Sequence, residues 1–276
     1  MILFLGLLAF VAAAFLVERG AGLDGPVSLG PLARIAFAAA PSALWLGYFR
    51  SRDKQEADPI QHLVVMYLAG ALIAGPVASF AVEQVLASDV AAPPEFARFG
   101  PERLVTAFLV VAVAQELCKY SIVRYTVYSL PELGDPIDGL VYTTAVGLGF
   151  ATFRAHQYLS AEGGQVLLSI GAARVAVTVL AHACFAALLG VAIGWAKFSS
   201  LGPWRRSLVL CGGLLAAVAL NGGFSVTEAV ISVPGLGFAP WRSVAFAFGF
   251  AAAVLIAFSF LLRRILGAMA RVGAEA

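Results

Sequence analysis

Polar and Gly/Pro-rich breaks cut this chain into eight apolar stretches, and that alternation restricts the fold more than any other feature. The stretches are 2–17, 32–49, 63–86, 104–128, 139–158, 167–196, 208–231 and 242–262, separated by runs such as RSRDKQEADPIQH, SDVAAPPEFARFGPER and SLPELGDPID. Crossing the hydrocarbon takes about 20 apolar residues in a helix, which satisfies every backbone hydrogen bond internally where no water can. Composition agrees: 61% of residues are hydrophobic and 12% charged, roughly half the charge of a soluble domain. The expected fold class is therefore all-α, a polytopic transmembrane helical bundle of about eight spans. No break is long enough for a soluble domain, so residues 1–276 are expected to form a single membrane domain.

No basic residue precedes the first apolar stretch, so 2–17 is expected to stay as a membrane helix rather than act as a cleaved signal. The stretch 167–196 exceeds one straight crossing and is expected to tilt, kink or begin at the interface. With the N-terminus inside, the cytoplasmic basic residues are Arg50, Arg52, Lys54, Arg124, Lys197, Arg205, Arg206, Arg263, Arg264 and Arg271. They outnumber Arg19, Arg34, Arg98, Arg103 and Arg242 outside, which places both termini in the cytoplasm. Residues 263–276 read as an interfacial tail. A net charge of +2 gives no reason to expect nucleic acid as a partner. Cys118, Cys184 and Cys211 all fall inside apolar runs, which argues against a disulfide framework.

Ionisable residues inside the spans carry the functional signal. Each costs about 2.5–3.5 kcal/mol to insert, so it should face the bundle interior and find partners. In the fourth span Glu116, Tyr120 and Arg124 recur every four residues, with Gln115 and Lys119 in a neighbouring row. In the sixth, Arg174, Thr178 and His182 share that interval. In the fifth, Gly139, Thr143, Gly147 and Ala151 form a small-residue stripe suited to close helix approach, and Arg154 continues it and is expected to point inward. A carboxylate near an imidazole can activate water or supply two metal ligands. Catalytic zinc usually needs three protein ligands and a water, and the third is not evident, His156 being the candidate beside Glu116 and His182. No HExxH, GxSxG or CxxC pattern occurs. The bland alternatives are a neutralised Glu–Lys pair and a hydrogen-bonded packing histidine. Glu83 is expected to snorkel, His62 to sit at headgroup level, and Glu228, after the breaker run LNGGFS, to be interfacial.

The succession QELCKY, DPIDGLVYTTAVGLGFA and AARVAVTVLAHACFAALLGVAIG over residues 115–194 resembles the PrsW family of intramembrane proteases, distant relatives of the CAAX-prenyl and bacteriocin-processing membrane enzymes. The family-like core spans 104–196. The resemblance implies cleavage of peptide bonds within or beside the membrane, with a membrane protein or peptide as substrate. It implies an active site built from an EExxK helix and a downstream His helix. Carried over, Glu116 matches the second glutamate, Lys119 the lysine, Asp138 and Gly139 the DG pair, Arg174 the arginine before the His motif, and His182 its histidine. The relatives suggest a glutamate-activated water, without an obligatory cofactor. The family also implies a bacterial inner membrane.

This chain departs from the family pattern in three places. Gln115 replaces the first glutamate, and an amide cannot serve as a carboxylate base. Arg154 and Ala155 stand where the family usually has Glu-Asn, and Asn221 where it commonly has another His. An arginine there would repel a dication, so a metal such as zinc is disfavoured. Two readings follow. In one, Glu116 is the base, His182 stabilises the oxyanion, and Gln115 or Asn221 donates hydrogen bonds. In the other, the protein is an inactive pseudoprotease that binds membrane partners, a reading that an Arg154–Glu116 ion pair would favour. A transporter reading lacks an inverted repeat or paired broken helices.

Overall fold

The computed structural model describes residues 2–23, 25–52, 60–85, 101–231, 241–254 and 256. The interfacial tail expected at 263–276 lies outside them, as do 257–262 of the last expected span. In chain order the elements are α1 (Ile2–Gly20), β1 (Val27–Ser28), α2 (Pro31–Arg52), α3 (Ile60–Ala69), a π-helical turn (Gly70–Ala74), α4 (Gly75–Val85), α5 (Pro101–Tyr125) and α6 (Pro136–Ser160). A 3-10 turn (Ala161–Gly164), β2 (Gln165–Val166), α7 (Leu168–Phe198) and α8 (Pro203–Ile231) follow, then an apolar helix α9 (Trp241–Val254). Each of the eight apolar stretches thus has a helical counterpart, α3 and α4 sharing one. Among the described residues, four meet the length and hydropathy of a membrane crossing: Leu3–Gly20, Ile60–Val85, Leu168–Phe198 and Pro203–Glu228.

α7 is the centre of the molecule: 83% of its apolar stretch is buried in protein, against 17%, 33% and 28% for the other three. It is one unbroken helix of 31 residues, about 46 Å long against roughly 30 Å of hydrocarbon. The excess is taken up by tilt or protrusion rather than by a break.

Small residues let α6 lie directly on α7. A Cβ on Gly190 would fall 2.6 Å from the Gly139 carbonyl oxygen and 2.7 Å from Leu140 Cα, both backbone atoms. In lipid, where apolar burial gives helices little reason to associate, such backbone approach supplies dispersion contact. The Gly139–Ala151 stripe acts here as expected. The opposite side of α6 is equally crowded, for a Cβ on Gly149 would collide with the Tyr67 carbonyl of α3, beside the π-helical turn. That face carries a polar knot: Tyr67 Oη donates to Thr152 Oγ1 at 2.9 Å, and Ser42 Oγ lies 3.0 Å from the same hydroxyl.

Both ends of α7 are fastened. At its start, Glu18 of α1 accepts from the Ser169 backbone N–H at 2.8 Å and from its hydroxyl at 3.2 Å, capping α7 from another helix. Beside it β1 and β2 pair antiparallel, Val27 with Val166 and Ser28 with Gln165. At its end, Lys197 Nζ donates to the carbonyls of Leu130 and Leu133 at 3.0 and 2.8 Å. α6 starts on a capping box in which Asp135 accepts from Ile137 and Asp138 amides while Asp138 Oδ2 accepts from the Gly134 and Asp135 amides. The run LNGGFS is not a breaker: α8 passes through it uninterrupted.

Candidate active site

The buried face of α5 is Ala112, Gln115, Glu116, Lys119 and Val123. This is the 3.6-residue stripe of an amphipathic helix. The four-residue row Glu116–Tyr120–Arg124 drifts off it, since each four-residue step advances about 40° beyond a full turn. Tyr120 and Arg124 are only half-buried, and Arg124 stacks 4.3 Å from the Tyr128 ring centroid.

Glu116 and Lys119 are fully buried, one helical turn apart, with Nζ 2.5 Å from Glu116 Oε1. The same ammonium lies 3.4 Å from Nδ1 of His182 on α7. It also sits over the rings of Phe150 (α6) and Phe185 (α7), at 5.1 and 5.6 Å from their centroids. Those rings meet the imidazole edge-on, at 4.9 and 5.4 Å. From α8, Asn221 Nδ2 donates to Glu116 Oε1 at 2.7 Å and to Gln115 Oε1 at 3.0 Å. Acid and imidazole therefore converge, joined by a lysine, among α5, α7 and α8, with α6 contributing an aromatic wall. Asn221 of the seventh span was expected as a possible hydrogen-bond donor, and it does donate to Glu116.

Two consequences follow from donor chemistry. An ammonium can only donate, so Nδ1 of His182 accepts and the ring proton belongs on Nε2. Glu116 Oε1 is held by two donors, whereas Oε2 is buried without a hydrogen-bond partner. An orphaned buried carboxylate oxygen is costly and well suited to receive a proton or a water.

Other expected residues lie elsewhere. Arg154 is accessible on α6, and its guanidinium donates to Gln157 at 2.9 Å, itself within 3.5 Å of Ser79 on α4, rather than to the acid. Glu116 is paired with Lys119 and Asn221, not with Arg154. Arg174 is likewise half-exposed, 3.9 Å from Glu228 and stacked over Tyr158 at 5.1 Å. Long cationic side chains reach a polar neighbour rather than stay in apolar surroundings. Asp138 caps α6, about 18 Å of helix rise from Phe150. His156 is half-buried on α6. Glu83 is exposed, as expected, and His62 sits 4.0 Å from Glu132. Phe150 and Phe185 were not singled out from sequence, although Phe185 lies one turn beyond His182.

Residues 58–238 match a family model described as PrsW family intramembrane metalloprotease. Protease PrsW of Geobacillus kaustophilus (strain HTA426) is 34% identical over 167 residues, 60% of this chain and 67% of that protein. Protease PrsW of Clostridioides difficile (strain 630) is 26% identical over 187 residues, 68% and 75% of the two. Protease PrsW of Bacillus subtilis (strain 168) is 26% identical over 166 residues, 60% and 70%. No solved structure matches.

The word metalloprotease sets a test that these residues do not meet. The ligand-type side chains of the cluster are Glu116 and His182, with a lysine ammonium between them. Among the described residues, no three His, Cys, Asp or Glu side chains gather as a metal ion requires. His156, the third ligand considered from sequence, is not part of the cluster's contacts.

Proposed function

Because the chain belongs to the PrsW family of intramembrane proteases, we propose that it hydrolyses peptide bonds in or beside the bilayer with Glu116 as general base and His182 as oxyanion donor. All eight helical passes cross the membrane in this reading, with both termini in the cytoplasm of a bacterial inner membrane. The substrate is a membrane-embedded or membrane-proximal peptide.

The unpartnered Oε2 of Glu116 carries the proposal. Lys119 and Asn221 fix Oε1, leaving Oε2 to take a proton from a water molecule. The resulting hydroxide oxygen adds to the scissile carbonyl carbon, and the oxyanion accepts from Nε2–H of His182. Glu116 then passes its proton to the leaving nitrogen as the C–N bond breaks, giving a carboxylic acid and an amine. Gln115 accepts from Asn221 and so orients the amide that holds the base. Exposed Arg154, paired with Gln157, leaves the base unblocked, which removes one support for the pseudoprotease reading.

The test is cleavage of a tagged single-span substrate by purified protein in detergent or liposomes. Glu116→Gln should lower turnover by about 1000-fold or more, the loss of a base and of its oriented water together. Equal turnover by both proteins would remove Glu116 from the mechanism. No turnover by either, with a membrane partner still retained by His182→Ala, would favour the pseudoprotease.

A further inference from the structure

Lys119 is an unusual neighbour for residues that a metalloprotease would use as ligands. Its ammonium contacts the Glu116 carboxylate at 2.5 Å and His182 Nδ1 at 3.4 Å, which is the space between acid and imidazole that a bridging cation would fill. Phe150 and Phe185 present ring faces to the same nitrogen. The ammonium thus has a carboxylate, an imidazole lone pair and two aromatic quadrupoles around it, every one of them suited to positive charge. A dication brought to the same two ligands would face a fixed positive charge within hydrogen-bond distance of both.

We propose that Lys119 holds the place of a metal ion, so that the chain works without a bound divalent metal and the lysine itself supplies the cationic charge at the site. The inference rests on the site assigned above but concerns what occupies it, and it is tested apart from turnover. In the hydrolysis written above, the ammonium stays protonated throughout. It offsets the negative charge that passes from Glu116 to the oxyanion, and it keeps the His182 proton on Nε2.

The experiment measures metal per chain on full-length protein purified in detergent and equilibrated with zinc, manganese or cobalt, with cobalt absorption bands reporting ligation. Wild type is expected to hold far less than one ion per chain and to give the same cobalt spectrum as Glu116→Gln and His182→Ala. Lys119→Ala, which clears the space between the two ligands, is expected to hold more zinc than wild type. The proposal is overturned if wild type binds close to one ion per chain and loses it in Glu116→Gln and His182→Ala. It is equally overturned if a folded Lys119→Ala, judged by thermal unfolding, holds no more zinc than wild type. These results stand whether or not cleavage is observed, so a failed peptidase reading and a failed metal reading are told apart.

Discussion

Gly147→Ala is the sharpest way to ask whether the packing of α6 on α7 sets the site. The new methyl would land against Ala186 Cβ and 2.9 Å from the His182 carbonyl oxygen, where ordinary contact begins at 3.4 Å. Neither neighbour can rotate away, since one is backbone and the other a bare Cβ. The helices must therefore separate by roughly 1 Å, an overpacking strain that costs about 1–3 kcal/mol. That shift falls on the residue bearing the imidazole. The 3.4 Å contact between Lys119 and His182 is already long and would pass out of hydrogen-bond range. A displacement of this size costs about 100-fold in rate. Thermal unfolding in detergent and substrate cleavage read the two effects. Gly212→Ala is the control, because a methyl there meets nothing within 4 Å and gains about 0.5–1 kcal/mol of helix propensity. If Gly147→Ala is as stable and as active as Gly212→Ala, the argument from helix contact fails.

Other outcomes follow from single interactions. Lys119→Met strands the buried Glu116 carboxylate and should cost about 3–5 kcal/mol, and the neutral pair Glu116→Gln with Lys119→Met should recover most of it in a double-mutant cycle by thermal or chemical unfolding. Asn221→Ala removes the donor shared by Glu116 and Gln115, leaving two buried acceptors short at about 1–3 kcal/mol, with a matching fall in turnover. Asp135→Ala breaks the capping box of α6 and should lower stability by about 0.5–2 kcal/mol, while Asp135→Asn, itself a good cap, should restore most of the loss.

The helices were legible because their cause is local. Runs of Leu, Val, Ala and Phe between polar breaks leave the backbone no other way through hydrocarbon, and α1 to α8 follow those runs within a few residues. The burial of Glu116 and His182 was legible for a related reason, as the expensive charges of their spans. What could not be read was angular phase and reach. Spacing by four residues placed Arg124 beside Glu116, whereas the helix carries it off the buried stripe. Arg154 and Arg174 were assigned to the interior, yet each is long enough to leave it for Gln157 or Glu228. Asn221 was expected to donate a hydrogen bond at the site, yet it sat in what read as a breaker run, because Gly-Gly lowers helix propensity in water; its contacts with α5 identify Glu116 and Gln115 as the acceptors. The position of Lys119 between Glu116 and His182 depends on how helices meet, which no single stretch of sequence encodes.

Glu18 and the β1–β2 pair pin one end of α7, and Lys197 pins the other. A beam clamped at both supports resists sliding or swinging as a whole, though it can still bow near its middle. In the hydrolysis proposed above, the imidazole is then the better anchored jaw, and a polypeptide would be admitted by displacement of α5 or α8, the elements bearing the acid and its amide companion. Opening the enclosure would separate Asn221 or Glu116 from His182, so on that proposal the catalytic set would be complete only once the cleft had closed again around its guest.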